Sequence, residues 1–552
     1  VDPYRSDLAS QRDARSEELR DSGIVGDIIS QFTDPLAFFR ELVQNSIDAG
    51  TPSVEIRLEH DDGAGLLRVS VRDRGEGMTR DILENQLLVL FRSTKEQDDS
   101  KIGKFGIGFA SVLAPNPEVV AVHTSRDGRR LVLHLNRDLT YQLYDAGPAT
   151  QTGTTVELDL AMRTDEVEAF VRSSITALER WCRHASVPIQ LTAQVPGQAD
   201  PIAIRVDRPL GLEGALVEAH GRADDGKLVA VVGITATAAA YTGFFNHGLM
   251  LHETTDPLLG RVALKLQDSR LGHTLSRDDV RRDAHFTRAL AFARTRVERD
   301  HPAAAATALR IAAEAGDHAR WWTLVVALGE SKVEVPRRAW SFPLVEPLVA
   351  GPAGERRAAA ASSLGKRGWV SHRSSKLTGM LAAAGTPVLH AEIKNHLFLK
   401  TLVDSVTGCE LRDVERELTC VTPVEVGSED EVLLAMMHEL FATAYRAPSA
   451  IVLAKLDGAH ADVLAVTGDA AADPTMPHLL DREQVVHNPF GRRRLPLVIS
   501  TQHEWYRAAR LLDPRLGAAH LARVLLLQHR VLDVVRSTTI LEHALDQIGV
   551  DT

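Results

Sequence analysis

Glu41-Leu-Val-Gln-Asn45-Ser-Ile-Asp48, Asp73-Arg-Gly75-Glu-Gly77-Met78 and Gly103-Lys104-Phe105-Gly106-Ile107-Gly108-Phe109 are the stretches on which the fold of this 552-residue chain turns. The first predicts a helix: Asp34 and Pro35 supply a cap and a first-turn proline, and Ala49-Gly50-Thr51-Pro52 stop it. Phe38, Leu42 and Ile47 give it a packing side, while Glu41, Asn45 and Asp48 fall together on another face. An Asn oxygen can take one position on a hard cation whose other ligands are phosphate and water, and a nearby Glu can take a proton from water. Taken alone, such a face is more commonly a solvated polar stripe on an amphipathic helix.

Working outward, Leu67, Val69 and Val71 alternate with polar residues, which predicts a strand ending at Asp73. Gly75 and Gly77 then turn the backbone where the carboxylate is presented. A carboxylate only accepts hydrogen bonds and adenine's exocyclic amino group donates, so Asp73 there selects adenine over guanine. A plain Asp-Gly turn after a strand is the alternative. In the third stretch, glycines 103, 106 and 108 open an expected helix through Ala110, Val112 and Leu113. Glycines let the main chain approach phosphate oxygens, and the free amides of a helix start donate to them. The spacing is neither G-x-G-x-x-G nor that of a Walker loop.

In order and spacing, these segments resemble the GHKL ATPase superfamily of gyrase, heat shock protein 90, histidine kinases and mismatch-repair ATPases. Within it, Phe39-Arg40-Glu41-Leu42-Val43-Gln44-Asn45 and Ile102 to Phe109 are most similar to the heat shock protein 90 chaperones, of which the bacterial HtpG type is one. The resemblance implies an α/β multidomain chain: an N-terminal GHKL (Bergerat) α/β sandwich that binds ATP with Mg2+, an α/β middle domain and a mostly helical C-terminal domain. It implies Glu41 as the general base and Asn45 as the metal ligand. The implied nucleotide contacts are Asn45, Asp48, Asp73, Gly75, Gly77, Met78, Lys95, Gly103, Lys104, Phe105, Gly106, Ile107, Gly108, Phe109 and Thr154. Thr154 lies in Gly153-Thr154-Thr155-Val156-Glu157-Leu158, which is similar to the family's last nucleotide-contacting strand. Residues 79–102 correspond to the lid over ATP, with Phe91-Arg92-Ser93-Thr94-Lys95 resembling the lid sequence.

Leu275-Ser276-Arg277-Asp278 resembles the middle-domain loop that brings an arginine to the γ-phosphate, which makes Arg277 the second catalytic residue implied. The loop departs from the family pattern. Gly272, His273 and Thr274 stand where Pro-Leu-Asn is usual, and Arg281 replaces a polar amide, so Arg270 and Arg281 are possible substitutes.

The length suffices for three or four domains. Expected boundaries are 1–186 for the ATP-binding domain, 187–330 for a middle domain, 331–425 for its small α/β part and 426–552 for a C-terminal α/β dimerisation domain. Helices are expected over 166–184, 302–315, 377–384, 431–445 and 516–548, and strands over 189–193, 227–235, 248–251 and 386–390. Met436, Met437 and Phe441 form a stripe that reads as core more readily than as a client surface. The broad apolar face of the last helices calls for a partner, hence self-association.

Sixty-three basic against 74 acidic residues, a formal net charge of -11, offer no general field for nucleic acid. Arg492-Arg493-Arg494 reads as a solvated turn. Cys182, Cys409 and Cys420 are odd in number and widely spaced, which argues for a reducing compartment and against a disulfide framework or structural zinc. His438-Glu439 lacks the second histidine of a metalloprotease helix and reads as helix surface. There is no apolar run of membrane-spanning length and no signal-peptide core, so a cytoplasmic location without membrane partners is expected.

Three functions are compatible with these features. The first is an ATP-dependent chaperone of the heat shock protein 90 kind, a homodimeric clamp acting on client proteins. The second is a specialised GHKL clamp or switch serving a dedicated partner or a defence system. The third is a nucleic-acid enzyme of the mismatch-repair or topoisomerase kind, disfavoured by the acidic charge and by a phosphate loop without that branch's Gly-Phe-Arg-Gly-Glu-Ala. A histidine kinase is disfavoured because its ATP domain normally follows a phosphoacceptor helix, whereas this site begins near residue 38.

Overall fold

The computed structural model describes residues 34–88, 108–138, 140–237, 239–274, 279–349, 355–468, 476–486, 489–490 and 493–549. They form two compact units, Val1–His301 with Glu330–Lys332, and Pro302–Gly329 with Val333–Thr552.

The first unit starts with α1 (Phe38–Asp48), entered by a turn in which the Asp34 carboxylate accepts from the Leu36 amide at 2.8 Å. Two hairpin-linked strands follow, β1 (Val54–Asp61) and β2 (Leu66–Asp73). Then come β3 (Val119–Arg126), β4 (Arg129–Asn136), β5 (Tyr141–Pro148), β6 (Gly153–Ala161), α2 (Val167–Cys182), β7 (Ile189–Ala193) and β8 (Ile202–Arg205). All eight strands make one sheet in the order β5-β4-β3-β6-β2-β1-β7-β8. Its pairs are antiparallel except β1 with β7. The sheet therefore runs to Arg205, past the boundary expected near residue 186.

The two sheet faces differ. Val54, Ile56, Leu58, Val69, Val71, Val122 and Leu158 alternate onto one face and pack with Phe38, Phe39 and Val43 of α1 and Val171 and Leu178 of α2. Burying each such side chain contributes roughly 1.5–3 kcal/mol, offset by the entropy of ordering it. The other face carries Glu55, Arg57, Arg72, His123 and Glu157 around an open polar cavity of about 350 Å³.

A second sheet in the same unit is built from β9 (Ala215–Arg222), β10 (Leu228–Thr235), β11 (Tyr241–Asn246), β12 (Leu249–Thr254) and β13 (Ala263–Asp268), in the order β12-β11-β13-β10-β9. Helix α3 (Ala284–Thr295) packs on it, with Phe286 and Phe244 ring centroids 5.2 Å apart. The β11–β12 turn is His247-Gly248, both at positive φ (48° and 78°), as a two-residue hairpin demands. It seats on the end of α2, where a Cβ on Gly248 would stand 1.6 Å from the His184 carbonyl oxygen.

The second unit opens with α4 (His301–Ala315) and α5 (His318–Ser331), apart from His301, Glu330 and Ser331, which belong to the first. It continues with β14 (Ser341–Val349), β15 (Glu355–Ala360), β16 (Arg367–Ser371), α6 (Lys376–Ala383), β17 (Val388–His390), α7 (His396–Thr407) and β18 (Glu410–Asp413). β16 pairs in parallel with both β17 and β18, so α6 and α7 are the crossovers of a small α/β unit. A last five-stranded sheet holds β19 (Leu418–Pro423), β20 (Ile451–Gly458), β21 (Ala465–Thr467), β22 (His478–Asp481) and β23 (Leu497–Ser500). The C-terminal region thus combines a sheet with its helices: α8 (Ser428–Ala444), the short α9 (Glu504–Ala509), α10 (Pro514–Gln528) and α11 (Val534–Ile548).

The expected helix over 516–548 is two helices. Arg530 adopts a left-handed φ of 56°, and Asp533 caps α11 by accepting from the Arg536 amide at 2.8 Å. Met436, Met437 and Phe441 are buried with Leu521, Leu525 and Ile540, so the methionine stripe is core. His438 and Glu439 are exposed, and the three cysteines are buried and free.

Candidate nucleotide site

Asp73 continues the phase of Leu67, Val69 and Val71, so β2 delivers its carboxylate into the layer between sheet and helices, where it is 9% exposed. Oδ1 accepts from the amides of Gly75 at 2.8 Å and Thr154 at 3.1 Å. Oδ2 faces the Ser46 hydroxyl of α1 at 3.4 Å, but that hydroxyl's single proton has a closer acceptor, the Leu42 carbonyl at 2.9 Å. Oδ2 is therefore the oxygen left to accept from an outside donor. Burial raises the Asp73 carboxyl above its ordinary range, and the hydrogen bonds from the Gly75 and Thr154 amides oppose the rise.

The turn after Asp73 tolerates no side chain at its two glycines. A Cβ on Gly75 would lie 2.6 Å from the Ala49 carbonyl oxygen, and one on Gly77, at φ 70°, 2.1 Å from that of Ser125. The Glu76 amide donates to the Ala49 carbonyl at 3.0 Å and the Met78 amide to Thr124 Oγ1 at 2.8 Å. Thr124 Oγ1 is also 3.1 Å from Thr154 Oγ1. Gly75, Gly77, Met78 and Thr154 are thus gathered around Asp73.

On α1, Glu41 is buried and its Oε1 accepts from Arg40 Nη2 at 3.1 Å. The Arg40 guanidinium lies 5.9 Å from the Trp181 ring centroid. Asn45 and Asp48 stand exposed further along the helix. Partial loss of hydration raises the Asp48 carboxyl, with Glu41 adding to the rise and His247 opposing it. Glu41 and Asp48 therefore feel each other's charge. Cys182, near Arg40 and Glu41, has its thiol pushed up to about 12, mainly by burial, and so stays protonated at neutral pH.

Phe109 opens a short 3₁₀ helix, Phe109–Leu113, whose five residues are all buried, and the Gly108 carbonyl accepts from the Ser111 hydroxyl at 2.6 Å. This short helix covers Ala110, Val112 and Leu113, where the sequence predicts a helix, and Pro115, which has no amide to continue the ladder, follows its end. Lys95, Gly103, Lys104, Phe105, Gly106, Ile107, Arg277 and lid residues 89–102 lie outside the described residues. Of the substitutes for Arg277, Arg270 is fully engaged, giving two hydrogen bonds to Asp268 at 2.7 and 2.6 Å and an ion pair to Asp225 at 3.0 Å. Arg281 is exposed and bonded to Asp283 at 2.9 Å.

Sequence reasoning assigned no role to Arg40, Ser46 or Thr124. Only Ser46 carried a signal, a small polar residue one turn after Leu42 on the apolar side of its helix. Among the described residues, no group of three or more His, Cys, Asp or Glu is arranged to hold a metal. A cation beside Asn45 would take its remaining oxygens from phosphate and water.

A helix-and-sheet layer with an inward aspartate and a double-glycine turn defines a nucleotide-binding domain of the GHKL kind. Residues 38–157 match the family described as histidine kinase-, DNA gyrase B- and HSP90-like ATPase, and the chain carries that domain there. The chaperone protein HtpG of Bordetella parapertussis is 26% identical over 200 residues, 30% of this chain and 30% of that protein. HtpG of Alkalilimnicola ehrlichii is 29% identical over 209 residues, 32% and 31% of the two chains. The DNA mismatch repair protein MutL of Thermosipho africanus is 29% identical over 151 residues, 26% and 25% of the two chains. The chain thus spans about a third of the length of the chaperones it matches. Among the described residues no helix is long and apolar enough to cross a membrane.

Proposed function

We propose that the first unit binds ATP with Mg2+ and hydrolyses it, and that the chain is a chaperone clamp of the heat shock protein 90 kind acting on client proteins. The observation that carries this reading is Asp73: buried, fixed through Oδ1 by two main-chain amides, and left with Oδ2 to accept from adenine's amino group. Gly75, Gly77, Met78 and Thr154 lie around that position, and Gly108 and Phe109 are assigned to the same pocket. Gly103 to Ile107 and Lys95 belong to the phosphate side of the same proposal. Glu41, oriented by Arg40, takes the proton from the attacking water. Asn45 supplies one oxygen to Mg2+, which when bound neutralises phosphate charge, and Asp48 lies one turn beyond.

Arg277 is assigned to neutralise charge on the γ-phosphate. The flanks of its loop are tied by the Thr274 amide donating to the Asp279 carbonyl at 2.9 Å. The nucleotide-binding part runs through Arg205, the middle part includes the second sheet and the small α/β unit, and the C-terminal part serves self-association. Leu527, Val534 and Val535, 64%, 82% and 74% exposed, support that last role.

The mismatch-repair relative favours a second reading, in which the same ATP cycle serves a DNA transaction. Turnover measured against protein concentration, with unfolded protein or duplex DNA added in turn, separates the two. Rates that rise with self-association and with unfolded protein support the chaperone clamp. Stimulation by DNA alone supports the second reading, and no ATP turnover under any condition contradicts both.

A further inference from the structure

Between the C-terminal half of α2 and the second sheet lies a cavity of about 400 Å³, walled on one side by Leu212, Tyr241, Phe245, Met250 and Ala263. Lys265 of β13 lines it and is only 8% exposed. Its Nζ is 2.7 Å from His184 Nε2, and His184 Nδ1 is 3.2 Å from the Arg208 carbonyl oxygen. A carbonyl only accepts, so Nδ1 carries the imidazole proton and Nε2 accepts from the Lys265 ammonium. Burial, and then the charge of Lys265, pull His184 down to about 4, which keeps the ring neutral at physiological pH.

An ammonium has three protons, and this one places only one. Among the described residues Lys265 has no second hydrogen-bond acceptor and no carboxylate at ion-pair distance. The acids around the cavity are already engaged. Glu253 bonds Arg180 at 2.8 Å and takes the Tyr241 hydroxyl at 3.3 Å, while Glu179 lies 3.5 Å from Arg183, which also pairs with Glu213. Glu213, Glu218 and Glu253 act on the Lys265 charge only at longer range, and burial outweighs them in lowering its pKa; a buried ammonium with a neutral imidazole as its direct partner is a poor solution for stability alone. The cavity volume is that of a small-molecule site, with one apolar wall and a lining that also carries Arg180, Arg183 and the engaged acids Glu179, Glu213 and Glu253.

We propose that this cavity is a second ligand site, distinct from the nucleotide site, for a small carboxylic acid with a compact apolar body. The carboxylate accepts the two free protons of Lys265 Nζ, and the body lies against Phe245, Met250 and Leu212. Phe245 is positioned for this, its ring centroid 5.8 Å from Nζ and 5.3 Å from the His184 ring.

The test is calorimetric titration of the full chain with 3-phenylpropionate, using 3-phenylpropan-1-ol as the neutral probe of the same shape. A single saturable site is expected for the acid. Affinity for the alcohol, and for the acid in Lys265→Met, should be lower by about ten-fold or more, as the loss of a charge-assisted hydrogen bond implies. Thr176→Trp, at an exposed position on the cavity rim, leaves Lys265 intact and should also abolish acid binding while ATP binding persists. Absence of saturable binding, equal affinity for acid and alcohol, or acid binding unchanged in Thr176→Trp would overturn the proposal.

Discussion

Residues 38–88 and residues 428–549 invert each other's use of polarity. In the first region the interior holds Glu41, Arg40, Ser46 and Asp73, all hydrogen-bonded. In the second the helix-packed core is Met436, Met437, Phe441, Leu521, Leu525 and Ile540, with only the small hydroxyls of Thr467 and Ser500 buried among the described polar residues, and apolar side chains also reach the surface, with Leu511 88% and Val534 82% exposed. Buried polar groups cost free energy unless they are satisfied, so the first pattern marks a place where chemistry is prepared. A cluster of exposed apolar groups is the kind of surface that a second chain can cover. The difference teaches where to look for each function before any ligand is seen.

The largest effect that sharpens this contrast is on turnover. Glu41→Ala should slow ATP hydrolysis roughly 10² to 10⁴-fold with ATP still bound, as loss of a general base implies. Glu41→Gln should show the same rate loss, because an amide keeps the Arg40 contact and cannot take the proton. Parent rates in both would return Glu41 to a structural role. Next comes stability: Arg40→Ala removes a charged partner from the buried Glu41 carboxylate and should cost about 3–5 kcal/mol in denaturant unfolding. A loss below about 1 kcal/mol would mean the pair is wetter than its geometry indicates.

In the other region, Val534→Asp with Val535→Asp should weaken self-association in sedimentation while leaving ATP affinity unchanged. An unchanged sedimentation profile would remove these residues from any interface. Smallest is an acid effect common to both units. His184 in the first and His390 in the second have their pKa lowered to about 4, each chiefly by burial. Above about pH 6.5 both rings are neutral folded or unfolded and contribute nothing. Between about 6.5 and 4 only the unfolded chain binds the protons, so stability should fall as pH falls through that window. Equilibrium unfolding at several pH values checks the sign.

Much of the layer around Asp73 was legible because local periodicity carries it. The alternation ending at Asp73 fixed both the strand and the direction of its carboxylate, and helix spacing placed Glu41, Asn45 and Asp48 on one side. What local periodicity does not encode is contact between distant segments. The parallel pairing of Val54 with Ile189 extends the sheet past the expected boundary, and it depends on residues far apart in sequence. Thr124 meets Met78 and Thr154 only once β3 lies beside β6. Arg40 is adjacent to Glu41, yet nothing in sequence says that a charged neighbour will be buried with it. The last sheet escaped notice because strands such as Ala465–Thr467 are too short to show a period. The break between α10 and α11 turns on Asp533 as a cap inside an otherwise continuous apolar pattern.

Asp73→Asn, titrated with ATP by calorimetry beside the parent chain, tests the nucleotide assignment most directly. An amide can turn a donor toward adenine's amino group, and losing the charge-assisted bond costs roughly 1.5–3 kcal/mol, or about one to two decades in affinity. That loss, with the fold retained, is the expected result. Equal ATP affinity in the two proteins would contradict the placing of adenine at Asp73, and with it the reading of the first unit as an ATP-binding domain built around that residue.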